Sequence, residues 1–148
     1  MDAVKKVRVG LLTSRSADRP HFDSFRDLVP AEVGLTIESV GVGPDAAVDA
    51  RTEAVLRRAT EIVRDHPIEG LIITGAPLTV LNPDIEKRLA EAITTIPVTT
   101  PVCAATAALH AIGSKRLMLM TPFDDEINSR LQDRLKAIGI DGALLPFA

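Results

Sequence analysis

The chain has 148 residues, 46% apolar and 25% charged, enough for one well-packed core and too few for two domains of ordinary size. Seventeen basic against twenty acidic side chains leave a net charge of −3, and with no Trp, no Tyr and four Phe the chain lacks both the electrostatic pull and the stacking surfaces of a nucleic-acid binder. The single cysteine, Cys103, excludes an intrachain disulfide and a thiolate cage for metal, and no run of about 18 uncharged apolar residues or signal-peptide pattern occurs, so a cytoplasmic protein without a membrane span is expected.

The Val- and Leu-rich run Val7 to Leu12 reads as a buried strand, followed by a polar loop at Thr13-Ser14. Asp23 to Leu28 suits a short helix before Pro30, and Leu35 to Val42 a second strand ended by Gly41, Gly43 and Pro44. From Asp49 to Arg64, Val55, Leu56, Ala59, Ile62 and Val63 share one helical face while the charges lie elsewhere. Leu71 to Ile73 is a third strand ending at Thr74-Gly75-Ala76. Asn82-Pro83 then reads as a cap and first-turn proline for a helix with the stripe Ile85, Leu89, Ile93.

Ile96 to Thr99 is a fourth strand, and Thr100-Pro101 starts a helix that runs to Ile112 and is stopped by Gly113. Leu117 to Met120 is a fifth strand. Thr121-Pro122 leads to a helix carrying Ile127, Leu131, Leu135 and Ile138, stopped by Gly139, and Ala143 to Phe147 reads as a sixth strand. This alternation predicts an α/β fold with a doubly wound, mainly parallel sheet and helices on both faces. Ligands in such sheets bind beyond the carboxyl ends of the strands, which points to the loops at Thr13-Ser14, Gly41 to Asp45, Thr74 to Thr79, Thr99-Thr100 and Thr121 to Asp125.

Gly41-Val42-Gly43-Pro44-Asp45-Ala46 matches a dinucleotide fingerprint formally, but Pro44 removes a donor and Asp45 places negative charge where phosphate would sit, so it reads as a glycine turn. Cys103, in the first turn of its helix, is either a proton donor or nucleophile, or a small buried hydrophobe among Val102, Ala104 and Ala105; the second is expected. His21, His66 and His110 show no metal-ligand spacing, and Asp124-Asp125-Glu126 reads as a helix cap. The hydroxyls of Thr13, Ser14, Thr74, Thr99, Thr100 and Thr121, with neighbouring amides, suit the capture of a carboxylate without a lysine.

Three segments together resemble the aspartate/glutamate racemase superfamily, in particular its maleate cis–trans isomerase and arylmalonate decarboxylase branch. They are Ile96-Pro97-Val98-Thr99-Thr100-Pro101, the Ala-rich helix through Ala107-Ala108-Leu109 to Gly113, and Lys115 to Phe123 with its Thr121-Pro122-Phe123 ending. The resemblance runs from about Gly70 to Gly139, with Val7 to Ser14 resembling the first strand and its ligand loop. It implies two similar α/β lobes holding a substrate carboxylate between them, and carbanion or enediolate chemistry without metal or organic cofactor.

Carried onto this chain, the first-lobe cysteine position of racemases falls at Gly75, the decarboxylase arrangement, but the hydroxyls expected next are Ala76 and Pro77, with Thr79 as a shifted substitute. The tyrosine expected after Thr-Pro is Phe123, and the second-lobe cysteine position falls beyond Ala148. The resemblance therefore implies a first lobe over 1–114 and the β–α–β opening of a truncated second lobe over 115–148, packed separately or as one continuous domain.

The resulting expectation is a cofactor-independent isomerase, racemase or decarboxylase acting on a small carboxylate, with Thr13, Ser14, Thr74, Gly75, Ala76, Thr121, Pro122 and Phe123 lining the site. The alternatives are a non-catalytic carboxylate-binding or interaction protein on the same scaffold, and a flavodoxin-like nucleotide or flavin binder. Expected partners are a small carboxylate and a second copy of the chain, paired through the apolar sixth strand, with no nucleic acid and no membrane.

Overall fold

The computed structural model describes residues 6–15, 17, 20–43 and 46–145. The strands are β1 (Val7–Thr13), β2 (Val33–Ser39), β3 (Gly70–Ile73), β4 (Val98–Thr99), β5 (Arg116–Leu119) and β6 (Asp141–Leu144). The helices are α1 (Pro20–Leu28), α2 (Val48–Asp65), α3 (Ala76–Leu81), α4 (Ile85–Ala92), α5 (Pro101–Ala111) and α6 (Asp125–Ala137). Pro44, Asp45, Pro146 and Phe147, which the sequence reading assigned to a loop and to the sixth strand, lie outside the described residues, as does the His21 side chain.

Every described strand pair is parallel, as a chain alternating strands and helices requires. The strands do not form one sheet. They divide into a four-stranded sheet of order β2-β1-β3-β4 and a two-stranded sheet β5-β6. Within the first, β1 pairs with β2 from Val7↔Val33 to Thr13↔Ser39 and with β3 from Val9↔Gly70 to Leu12↔Ile73.

The core lies where α2 and α4 cover β1 and β3. Leu12, Val55, Ala59, Ile62, Leu71, Ile73, Ile85 and Leu89 are buried together there. Gly10 suits that approach: a Cβ at this position would stand 2.8 Å from Ile68 Cδ1 and 3.1 Å from Leu71 Cδ1, so a side chain there would force these core side chains to shift. The alternation of β1 turns Leu11 and Thr13 to the opposite face, where both are buried.

Local chemistry sets the helix ends. Thr100 Oγ1 accepts from Cys103 N at 3.2 Å and Asp124 Oδ1 from Ile127 N at 2.9 Å, so both act as N-caps, and Gly113 and Gly139 follow α5 and α6 with positive φ. Two local expectations are corrected. Residues 76–81 form α3, and Asn82 closes that helix rather than opening α4, which follows Asp84. The Asn82 side chain instead donates from Nδ2 to Thr52 Oγ1 of α2 at 2.9 Å.

Candidate functional site

The chain leaves β1 toward β2 on one side and returns through α2 to β3 on the other. The loops after β1 and β3 therefore diverge, the switch-point arrangement beside which open α/β sheets receive ligands. Thr13-Ser14 and Thr74-Gly75 stand at this point. The two strand ends are tied together, because Thr74 N donates to Leu12 O at 2.8 Å and Thr74 Oγ1 to the same oxygen at 3.3 Å. Thr13 is buried, and its hydroxyl accepts from Arg15 N at 3.1 Å.

Ser14 is exposed beside this pair. Gly75 adopts φ 112°, a left-handed conformation that glycine takes without a Cβ penalty, and a Cβ added there would lie 4.0 Å from Ser14 Oγ. The Ser14 hydroxyl thus stands beside the Gly75 backbone, within van der Waals reach of a Cβ placed there. Ser14 also lines a cavity of about 600 Å³ with Ser39, Gly41, Gly43, Glu38 and Arg58. The Arg58 guanidinium is engaged by Glu61 at 2.5 Å and Glu38 at 2.7 Å, and these bonds, that to Glu61 foremost, raise its pKa further.

The Thr121-Pro122-Phe123 segment follows β5 in the second sheet and is braced by Asn128, a buried residue the sequence reading left without a role. Thr121 Oγ1 donates to Asn128 Oδ1 at 2.5 Å and accepts from Phe123 N at 3.3 Å, while Asn128 Nδ2 donates to Phe123 O at 2.9 Å. Two buried carboxamide bonds thus fix the loop from within the first turns of α6. The signal was present as an asparagine four residues after the Asp124 cap, on the helix face turned to its own N-terminal loop.

The remaining candidates fall elsewhere. Ala76, at the start of α3, lines an apolar cavity of about 180 Å³ with Val102, Leu109, Leu117, Leu119 and Leu135, between α5 and the second sheet. Thr79 is buried within α3. Cys103 is exposed rather than buried, because Val102 alone of α5 is buried, and it lines a cleft of about 540 Å³ with Glu86, Leu89, Ile93, Val98 and Thr100. That cleft and the cavity at Ser14 have no lining residue in common. His66 Nε2 lies 3.3 Å from Glu38 Oε1, and among the described residues no three His, Cys, Asp or Glu side chains are grouped as metal ligands.

A parallel sheet whose strand order reverses beside β1, with helices between its strands, defines the class of open α/β folds. The family model described as arylmalonate decarboxylase matches residues 45–146, and the chain belongs to that family. An arylmalonate decarboxylase structure superposes with TM-score 0.71 at 22% identity, over 95% of this chain and 63% of that one. Maleate isomerase Iso from Pseudomonas putida S16 gives 0.70 at 21% identity, over 95% and 63%, and a maleate cis-trans isomerase of Nocardia farcinica 0.69 at 18%, over 96% and 64%. The chain thus spans a little over three-fifths of the length of these structures. No curated protein sequence matches it, and no described helix is long and apolar enough to cross a membrane.

Proposed function

We propose that this chain holds a small carboxylate at the switch point between β1 and β3, within a cofactor-independent isomerase or decarboxylase of its family. The observation that carries the reading is Ser14 Oγ standing beside the Gly75 backbone at the switch point, in a chain of the arylmalonate decarboxylase family. A hydroxyl donor beside open backbone holds a carboxylate oxygen and stabilises the enediolate that forms when a carbon–hydrogen or carbon–carboxyl bond α to that group is broken. Thr13, Thr74 and Gly75 supply the wall on the first sheet, and Thr121, Pro122 and Phe123 the wall on the second. Residues 1–114 form the first lobe and 115–148 the opening of the second.

A second reading, carboxylate binding without turnover, is supported by the committed hydroxyls. Thr74 already donates to Leu12 O and Thr121 to Asn128, Phe123 has no hydroxyl, and the only thiol lines a separate cleft. The Nocardia farcinica enzyme, by contrast, was captured with a covalently bound succinylcysteine intermediate. The chain also associates with itself, a reading supported by Met118 of β5 and Met120 just beyond it, 66% and 70% exposed.

A panel of maleate, malonate, arylmalonate and aspartate in deuterated water separates the two readings. Deuterium incorporation or carbon dioxide release that survives Cys103→Ala and is lost in Ser14→Ala supports the enzyme. A ligand-induced rise in melting temperature without turnover supports the binder. Neither response from any member of the panel overturns both.

A further inference from the structure

We infer that Arg134 is a latch that fixes the second sheet against the first and thereby sets where the Thr121–Phe123 loop stands relative to the Ser14–Gly75 switch point. The inference rests on the proposed site spanning both sheets only for its functional consequence; the latch itself stands on geometry. The two sheets share no strand pairing, and among the described elements α6 reaches the first sheet's layer by packing on α3. Whatever holds α6 to its neighbours therefore holds β5 and β6 as well.

Arg134 lies in the last turn of α6, and its guanidinium meets two groups of the first unit. Nη1 donates to Thr79 O of α3 at 3.2 Å, and Nη2 donates to Glu86 Oε2 of α4. The first of these answers a need written in the sequence. Thr79 O would ordinarily accept from the amide four residues on, but that residue is Pro83, which has no N–H. Arg134 supplies the donor that Pro83 lacks, and it places a cation at the carboxyl end of α3.

The second contact extends the latch to a third helix. Glu86 Oε1 accepts from Thr100 Oγ1 at 2.5 Å, and the same hydroxyl accepts from Cys103 N, capping α5. One carboxylate thus joins the guanidinium of α6 to the cap of α5, while the guanidinium joins it to the open end of α3. The Arg134 and Glu86 side chains are 25% and 23% exposed, so each is sheltered enough that losing its partner leaves a charge poorly compensated. Arg134 is a positioning residue on this account, acting on the site through helix placement.

Hydrogen exchange read segment by segment tests the latch. In Arg134→Met, which keeps the aliphatic stem, amides of β5, α6 and β6 are expected to exchange roughly tenfold faster or more, while those of β1 and β3 keep their protection. Glu86→Gln is expected to give the same pattern more weakly, and the double variant to be no worse than Arg134→Met alone. Arg134→Lys, which offers a charge but no fork, is expected to fall between wild type and Arg134→Met, and it carries the comparison if the methionine variant does not fold. Exchange that rises equally in both sheets, stays unchanged, or adds fully in the double variant overturns the latch. Failure of malonate or maleate to raise the wild-type melting temperature would count against the proposed site and leave these exchange patterns untouched.

Discussion

The two sheets of this protein are built from similar sequence units and end in different physical states. In the first, β1 and β3 lie under α2 and α4, and Leu12, Leu71, Ile85 and Leu89 are each at most 1% exposed. In the second, β5 and β6 have α6 on one face, with Leu117 and Leu119 turned to it and Met118 and Met120 left in solvent. A parallel pair is ordinarily covered on both faces. The difference teaches that a strand–helix–strand unit can share the backbone architecture of the first sheet while leaving one face of its strands uncovered.

Buried and bare positions should therefore respond very differently. Leu12→Ala is expected to cost about 2–5 kcal/mol in urea denaturation, and Met118→Ala less than about 0.5 kcal/mol; equal costs would erase the distinction between the sheets. Asn128→Ala is expected to cost about 1–3 kcal/mol, since it strips Thr121 and the Phe123 carbonyl of their partner. The loss should appear as faster amide exchange in residues 121–128 with β1 unaffected. Gly75→Ala is expected to cost about 1–2 kcal/mol because of the left-handed backbone, with carboxylate binding measured alongside by thermal shift.

Much of the architecture was legible because its signals are local. Thr100-Pro101 and Gly113 bracket α5, and Gly139 ends α6, each through a backbone preference that acts within one turn. The α3 helix escaped because Ala76-Pro77-Leu78-Thr79-Val80-Leu81 is too short to show a helical stripe and contains β-branched residues. Its presence also turned Asn82 from an apparent N-cap into a helix end. Strand β2 begins at Val33 and ends at Ser39, shifted from the Leu35 to Val42 reading, because pairing along all of β1 decided its length.

The proposed site can be read in the sequence as loops and not as contacts. Alternation of strands and helices places Ser14 and Gly75 at strand ends, but strand order, which makes them neighbours, is a property of pairing that no single segment encodes. Cys103 misled for the same reason: its apolar neighbours suggest burial, yet only Val102 of α5 turns inward. The division into two sheets and the roles of Glu86 and Arg134 depend likewise on long-range packing.

Two smaller effects sharpen the comparison further. Replacing Met118 and Met120 together by lysine is expected to abolish concentration-dependent association in sedimentation experiments while moving the melting temperature little. At the end of α2, the hydrogen bonds from Arg64 at 2.7 Å and 2.9 Å lower the Asp65 pKa. A carboxyl depressed in the folded state stabilises above its unfolded pKa, and that contribution is lost as pH falls through the folded value. Because the pair is exposed, Asp65→Asn should lower stability only barely, at pH above the unfolded carboxyl pKa, with the difference from wild type vanishing at acid pH and in molar salt.

Across its eleven residues α5 has no Asp, Glu, Lys or Arg, and most of its alanines face outward. A cylinder so thin and so nearly neutral allows another backbone to come unusually near, and it exerts almost no pull on counterions.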